Sequence, residues 1–139
     1  MGARPSRRVF LAATSPVLLG WALGAHTVWG WGRQTVHPEP RPDIDASAVL
    51  TAEQLEGAGK DVVAVFDMVR EMPQIVDGIH CYCGCASLPG FRSLLICYQQ
   101  DGMARGCHIC QGEAKLAYRR RKEGQSLDQI RRAIDARYA

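Results

Sequence analysis

The sequence predicts a small all-α domain of about four helices with an irregular cysteine-rich loop, preceded by an N-terminal signal or anchor segment. Three observations indicate this class. Apolar residues recur at helical spacing in several segments, capping-box sequences precede two of them, and all six cysteines lie between residues 81 and 110. At a domain size of roughly 90 to 110 residues, a metal or disulfides commonly supplement the core. A two-domain enzyme with an interdomain cleft is not expected.

Residues 1–31 have the layout of an export signal. Residues 6–11 are SRRVFL, and no charged residue occurs in residues 9–31. The arginine pair and the apolar residues after it resemble the twin-arginine signal, which implies an exported, periplasmic protein and the twin-arginine machinery as a partner. The apolar run of 23 residues is also long enough to cross a bilayer at about 1.5 Å per residue. The segment is therefore either cleaved or holds the protein at the membrane.

The net charge of +3 comes from this N-terminal segment. Residues 1–31 contain three arginines and no acidic residue, which leaves 14 acidic and 14 basic residues in the rest of the chain. A balanced domain gives no electrostatic reason to expect a nucleic-acid partner.

Residues 32–50 are predicted to form a Pro-rich tether to a cysteine-rich helical domain at residues 51–139. Three prolines fall within residues 33–47, and the apolar residues there have no periodicity. We interpret His37, which lies in this stretch, as a solvated linker residue.

The first helix of the domain is predicted over residues 60–72. Thr51 and Gln54 fit a capping box, apolar residues follow at helical spacing, and Pro73 is expected to end the helix. Residues 74–88 have no helical period and are predicted to form a loop or a short strand.

Three further helices are predicted after this loop. A short one lies between Gly90 and Asp101, and a longer one runs from about residue 106 to residue 122. Ser126 and Gln129 repeat the capping box before a final helix. Its apolar stripe consists of Leu127, Ile130, Ile134 and Tyr138.

The candidate site is the group of six cysteines: Cys81, Cys83, Cys85, Cys97, Cys107 and Cys110. Thiolates repel one another unless a cation neutralises them, so a C-x-C-x-C run favours a thiophilic ion. We interpret its three sulfurs as a flexible arm. Cys107 and Cys110 are three residues apart at a helix start, where the dipole favours thiolate, and form a rigid platform with Cys97 between the two groups.

Soft sulfur ligands select Cu(I), Zn(II) or iron–sulfur clusters. Six thiolates exceed the four that one tetrahedral ion takes, so either more than one ion is bound or some sulfurs serve another purpose. His80 and His108 flank the two groups, and each is a candidate ligand or a hydrogen-bonding neighbour of the thiolates.

Two other interpretations of the cysteines stay open. A disulfide framework would pair each of the first three with one of the last three, because neighbours in an extended C-x-C run lie about 6.6 Å apart. A reactive dithiol at Cys107 and Cys110 is the other. Haem c attachment is excluded because Gln111, not histidine, follows Cys110. No paired carboxylates, phosphate loop or Ser/His/Asp group is present, so an enzyme is not expected.

Four segments resemble the PCYCGC motif-containing proteins. They are residues 79–85 (IHCYCGC), 93–97 (SLLIC), 107–110 (CHIC) and 124–131 (GQSLDQIR). The resemblance covers about residues 60–139 and implies an exported bacterial protein without specifying a reaction. His80 occupies the position of the proline in the motif.

The sequence therefore predicts an exported carrier or buffer of a thiophilic metal. Cu(I) is the favoured ion, with Zn(II) or an iron–sulfur cluster as alternatives. A protein that donates or accepts the metal is the expected partner, and no catalytic residue is assigned.

Export is testable through the arginine pair. Replacing Arg7 and Arg8 with Lys is expected to leave a folded precursor in the cytoplasm, because the twin-arginine machinery recognises that pair. Immunoblots of cell fractions measure the outcome. Normal export of the double variant would contradict the assignment.

Overall fold

Four α-helices and two short 3₁₀ helices form the part of the chain that the computed structural model describes, residues 35–139, and this part contains no β-strand. The α-helices are α1 (Lys60–Arg70), α2 (Pro73–Asp77), α3 (His108–Lys122) and α4 (Leu127–Tyr138), and the 3₁₀ helices are Cys85–Ser87 and Leu94–Tyr98. The predicted all-α class with a cysteine-rich irregular region is confirmed. The predicted signal segment lies outside the described residues. None of the described helices has the length and apolar character needed to cross a membrane.

The core forms where α3 packs between α1 and α4. The buried side chains of α1 are Val65, Phe66 and Val69, and those of α4 are Ile130 and Ile134. The apolar stripes predicted for these two helices therefore face the core, because residues three and four positions apart share one side of a helix.

The loop or strand predicted for residues 74–88 is wrong at its start. The first helix does end before Pro73, at Arg70, but after Glu71 and Met72 the chain forms a second helix, α2, with Pro73 as its first residue. Proline suits the first helical position because its missing N–H has no partner there and its φ is already helical. α2 is too short for its periodicity to be detected in the sequence.

Both predicted capping boxes form, but only one begins a helix. Ser126 and Gln129 exchange side-chain to backbone hydrogen bonds at the start of α4. Thr51 and Gln54 make the same pair of bonds. Beyond them the chain turns at Gly57, whose φ is +79°, so the helix begins only at residue 60.

Residues 35–41, which we call the strap, pack against the helical domain although they fall in the predicted tether. The side chain of His37 is only 8% exposed, so its interpretation as a solvated linker residue is wrong. Arg92 donates a hydrogen bond to the carbonyl of Glu39, and Arg131 donates one to the carbonyl of Pro38. Arginines on the domain thus bind the backbone carbonyls of a proline-rich segment, which has few N–H donors of its own.

Asp77 connects the strap to the helices. Its fully buried carboxylate accepts hydrogen bonds from Arg41 of the strap, from Arg92 at 2.9 Å and from the hydroxyl of Ser93 at 2.9 Å. Burial raises the pKa of Asp77, but the hydrogen bonds from Arg41 and Ser93 outweigh it and lower that pKa to about 2. Ser93 directly precedes the 3₁₀ helix that carries Cys97, so this carboxylate also fixes one side of the sulfur site.

Asp77→Asn is expected to lower the free energy of unfolding at pH 7 by about 2–3 kcal/mol, the linkage value for a pKa near 2 against about 3.9 in the unfolded chain. Because the folded-state pKa is depressed, this stabilisation is present above about pH 4 and is lost as the pH falls towards 2. Urea unfolding of the reduced, metal-free parent and variant at pH 7 and pH 2.5 measures the difference in their free energies of unfolding.

The control for this test is Asp67→Asn. Asp67 is exposed on α1 and forms no ion pair within residues 35–139, so its replacement should change stability little. An Asp77→Asn variant as stable as the parent at pH 7, or a difference of equal size at both pH values, would contradict the assignment.

Candidate metal centre

Four cysteine sulfurs converge in the interior of the domain. The Sγ atoms of Cys81, Cys83, Cys97 and Cys110 all lie within 4.8 Å of one another. Cys81 Sγ is 3.2 Å from Cys83 Sγ and 3.6 Å from Cys110 Sγ. A tetrahedral ion with bonds of about 2.3 Å to sulfur keeps its ligands about 3.8 Å apart. The four sulfurs, which we call the four-sulfur group, therefore have the spacing that one ion needs.

Tyr98 holds two of these sulfurs in place. It follows Cys97 in the 3₁₀ helix, and its hydroxyl donates a 2.7 Å hydrogen bond to the carbonyl of Cys110 on α3. Its ring is fully buried and meets Phe66 of α1 edge to face, with the centroids 4.8 Å apart. The aromatic packing and the hydrogen bond together fix the distance between Cys97 and Cys110.

A tight turn at residues 102–104 packs against the 3₁₀ helix that carries Cys97. The N–H of Ala104 donates to the carbonyl of Cys97 at 2.9 Å. Gly102 lies against that carbonyl so closely that a Cβ atom at this position would overlap it. Glycine is required at residue 102 because the backbone of the turn passes directly over Cys97.

The loop that carries Cys81 and Cys83 is bound on two sides. The N–H of Leu94 donates to the carbonyl of Ile79 at 2.8 Å, just before the loop. Within the loop, the N–H of Tyr82 donates to Oε1 of Glu113 on α3 at 2.8 Å. The backbone that carries Cys81 and Cys83 is therefore anchored to the core at two points.

Asp135 of α4 and His37 of the strap hold the outer side of the loop. The Asp135 carboxylate accepts hydrogen bonds from the Tyr82 hydroxyl and from Nε2 of His37. Nδ1 of His37 accepts the N–H of His80 at 3.0 Å, so the proton of the neutral ring lies on Nε2. Burial and the Asp135 carboxylate raise the pKa of Tyr82 to about 12, which keeps its hydroxyl a donor.

The structure leaves four of the eight predicted ligand candidates outside the four-sulfur group. Cys85 is buried next to Cys83. Cys107 is not on the face of α3, because the helix begins at His108 and Cys107 is its N-cap, with a sulfur that accepts the N–H of Cys110. The ring of His80 packs edge-on against Tyr82, and His108 is exposed.

The close packing of the thiols shifts their pKa values in opposite directions. S–H donors on Cys110 and Cys97 lower the pKa of the Cys81 thiol. The hydrogen bond to Cys81 and burial raise the pKa of Cys110, and burial and the neighbouring Cys85 raise that of Cys83. One thiolate is thus stabilised by its neighbours, and further deprotonation is opposed by burial and repulsion. A bound cation would neutralise the added negative charge and so allow the remaining thiols to deprotonate.

Glu113 is a part of the site that belongs to none of the cysteine motifs in the sequence. It is fully buried, and its Oε2 has no hydrogen-bond partner among the described residues. Burial and the charge of Cys81 raise its pKa to about 9, so the carboxyl is protonated at neutral pH. Its position three residues after Cys110, on the same face of α3 as the buried Ala114 and Ala117, is the signal that was available in the sequence.

Comparison with known proteins identifies a family. Residues 43–139 match the model of a family described as "Protein of unknown function with PCYCGC motif". No curated protein and no solved structure matches the chain.

Replacing Glu113 separates its role as a hydrogen-bond acceptor for the loop from the effect of its raised pKa on stability. Glu113→Gln retains an acceptor for the Tyr82 N–H, whereas Glu113→Ala leaves that buried donor without one, so the alanine variant should be less stable than the glutamine variant by about 1–3 kcal/mol. Because its pKa is raised in the folded state, Glu113 keeps a proton on folding that it has lost in the unfolded chain. The free energy of unfolding of the parent should therefore fall, relative to that of Glu113→Gln, by up to about 1.4 kcal/mol per pH unit as the pH rises from 6 to 8.

Urea unfolding of reduced, metal-free protein at several pH values provides both comparisons. Glu56→Gln is the control, since the Glu56 side chain is exposed. Equal stability of the alanine and glutamine variants would show that Glu113 does not hold the loop.

Proposed function

This chain belongs to the family of proteins of unknown function with a PCYCGC motif, and we propose that it carries or buffers a thiophilic metal ion bound by Cys81, Cys83, Cys97 and Cys110. The observation that carries the proposal is the convergence of these four sulfurs from three separate parts of the chain. Cys81 and Cys83 come from the loop, Cys97 from a 3₁₀ helix and Cys110 from α3. Buried thiols serve a fold as small apolar groups without meeting one another, so their convergence favours a ligand set.

Zn(II) and Cu(I) are the ions that fit best. Four thiolates in a tetrahedral arrangement are typical of zinc, and thiolate softness also suits Cu(I). The sequence alone favoured Cu(I). The buried position favours Zn(II), because a dication leaves less uncompensated negative charge on four thiolates than a monocation does. An iron–sulfur cluster places several atoms between its cysteines, so the close spacing of this group favours a single ion.

The exposure of the site supports exchange of the ion. Cys83 is half-buried, whereas the other three ligands are buried. A cleft of about 360 Å³ adjoins the loop on its other side and is lined in part by Cys81, His80 and Tyr82. A thiol of a donor or acceptor protein would reach the group at half-buried Cys83 or, through this cleft, at Cys81. No catalytic step is proposed, and export remains a proposal that rests on residues 6–11.

Serine substitutions test the ligand set. Cys97→Ser and Cys110→Ser should each weaken binding of Zn(II) by more than the ~10- to 100-fold effect seen for residues outside the ligand set. The parent should bind one ion per chain. Titration of the reduced full-length protein against a chromophoric chelator measures stoichiometry and affinity, and a second titration with a Cu(I) chelator ranks the two ions.

Cys107→Ser is the matched control. A serine hydroxyl caps the start of α3 as well as the Cys107 sulfur does, so this variant should fold and bind like the parent. Loss of the ion in Cys107→Ser but not in Cys110→Ser would contradict the four-sulfur site. Three intact disulfides and no releasable metal, measured by mass spectrometry of the denatured protein, would replace the metal site with a disulfide framework.

A further inference from the structure

Cys85 lies outside the four-sulfur group, yet its sulfur is closer to that of Cys83 than the sulfur of Cys81 is. The Sγ atoms of Cys83 and Cys85 are 2.8 Å apart, against 3.2 Å for Cys81 and Cys83. Cys85 is fully buried and begins a 3₁₀ helix. The family assignment and the ligand set give this fifth sulfur no role.

The backbone explains the contact. Extended strands would keep the cysteines of a C-x-C pair about 6.6 Å apart and oppose a bridge between them. Here Gly84 has φ +92° and turns the chain, so the two sulfurs face each other. A sulfur–sulfur bond is about 2.05 Å long, so bond formation needs a movement of less than about 1 Å. The turn that brings Cys83 to the metal site also prepares it to form a bond with Cys85.

We propose that Cys83 and Cys85 form an oxidisable dithiol whose conversion to a disulfide removes Cys83 from the ligand set and releases the metal ion. The inference rests on the proposed function. It requires an oxidant of the low-molecular-weight disulfide class, such as oxidised glutathione. The pair would couple the metal load of the protein to the thiol–disulfide balance around it.

The chemistry is a pair of thiol–disulfide exchanges. The sulfur of Cys83 attacks one sulfur of the small disulfide, forms a mixed disulfide and expels the first small thiolate. The sulfur of Cys85 then attacks Sγ of Cys83, forms the Cys83–Cys85 bond and expels the second. Two protein sulfurs lose two electrons and the small disulfide gains them. The proton of Cys85 goes to one small thiolate and solvent supplies the proton of the other, because metal-bound Cys83 is a thiolate and carries none. The ion then has three cysteine ligands instead of four and dissociates.

Access and metal binding select this pair over its neighbours. Cys83 is the half-buried ligand, so the oxidant reaches it first. Cys81 is also close to Cys83, but in the metal-loaded protein its sulfur is bound to the ion. Cys85 is the neighbour of Cys83 that the ion does not hold, and it is therefore free to complete the disulfide.

The test compares zinc release from the parent, Cys85→Ser and Cys107→Ser, each as full-length protein loaded with Zn(II). Oxidised glutathione is added, and a chromophoric zinc indicator follows the released ion. Parent and Cys107→Ser should release one ion per chain, and unreduced peptide mapping should show a Cys83–Cys85 disulfide in step with it. Cys85→Ser should bind zinc like the parent and retain the ion. Circular dichroism checks its fold, and Cys85→Ala repeats the test if serine is not tolerated at this buried position.

Zinc release from Cys85→Ser at the parent's rate would overturn the dithiol, as would a Cys81–Cys83 disulfide in the mapped peptides. Either result would leave zinc binding by the four-sulfur group intact. Failure of the parent itself to bind either Zn(II) or Cu(I) would instead refute the proposed function. In that case the peptide map of the metal-free protein still decides whether Cys83 and Cys85 form the bond.

Discussion

Mutual repulsion of buried thiolates is the constraint on which the site depends. Four sulfurs within 4.8 Å of one another, three of them in buried residues, cannot all ionise without a cation between them. The surrounding fold nevertheless holds them together through contacts that do not involve sulfur. The Tyr98 hydroxyl binds the carbonyl of Cys110, and the N–H of Leu94 binds the carbonyl of Ile79. Backbone and aromatic contacts thus bring the ligands together before the metal binds, which lowers the entropic cost of binding.

The site is also supported from outside the helical core. Asp135 on α4 binds both Tyr82 of the loop and His37 of the strap, and His37 accepts the N–H of His80. Asp77 binds Arg41 of the strap and Ser93 beside the 3₁₀ helix of Cys97. Two buried or half-buried carboxylates therefore connect the strap to the segments on both sides of the sulfurs. A change in the conformation of the strap would therefore shift the metal ligands through these hydrogen bonds.

Local patterns in the sequence predicted the elements whose formation depends on neighbours in the chain. The periodicity of α1 and α4 and the capping box at Ser126 are of this kind, since three or four residues decide them. The strap was missed because its contacts, such as His37 with Asp135, join residues far apart in the sequence. The cysteine spacing likewise could not separate ligands from other thiols. Cys110 is in the group and Cys107 is not because α3 begins at His108 and not near residue 106, a difference of two residues that periodicity does not resolve.

X-ray absorption at the zinc edge of the zinc-loaded, reduced full-length protein tests the four-sulfur site most directly. It measures the number, type and distance of the atoms bound to the ion. The structure predicts four sulfur atoms at about 2.3 Å and no nitrogen or oxygen ligand. A shell of nitrogen from His80 or His108, or a shell with fewer than four sulfurs, would contradict the ligand set of Cys81, Cys83, Cys97 and Cys110.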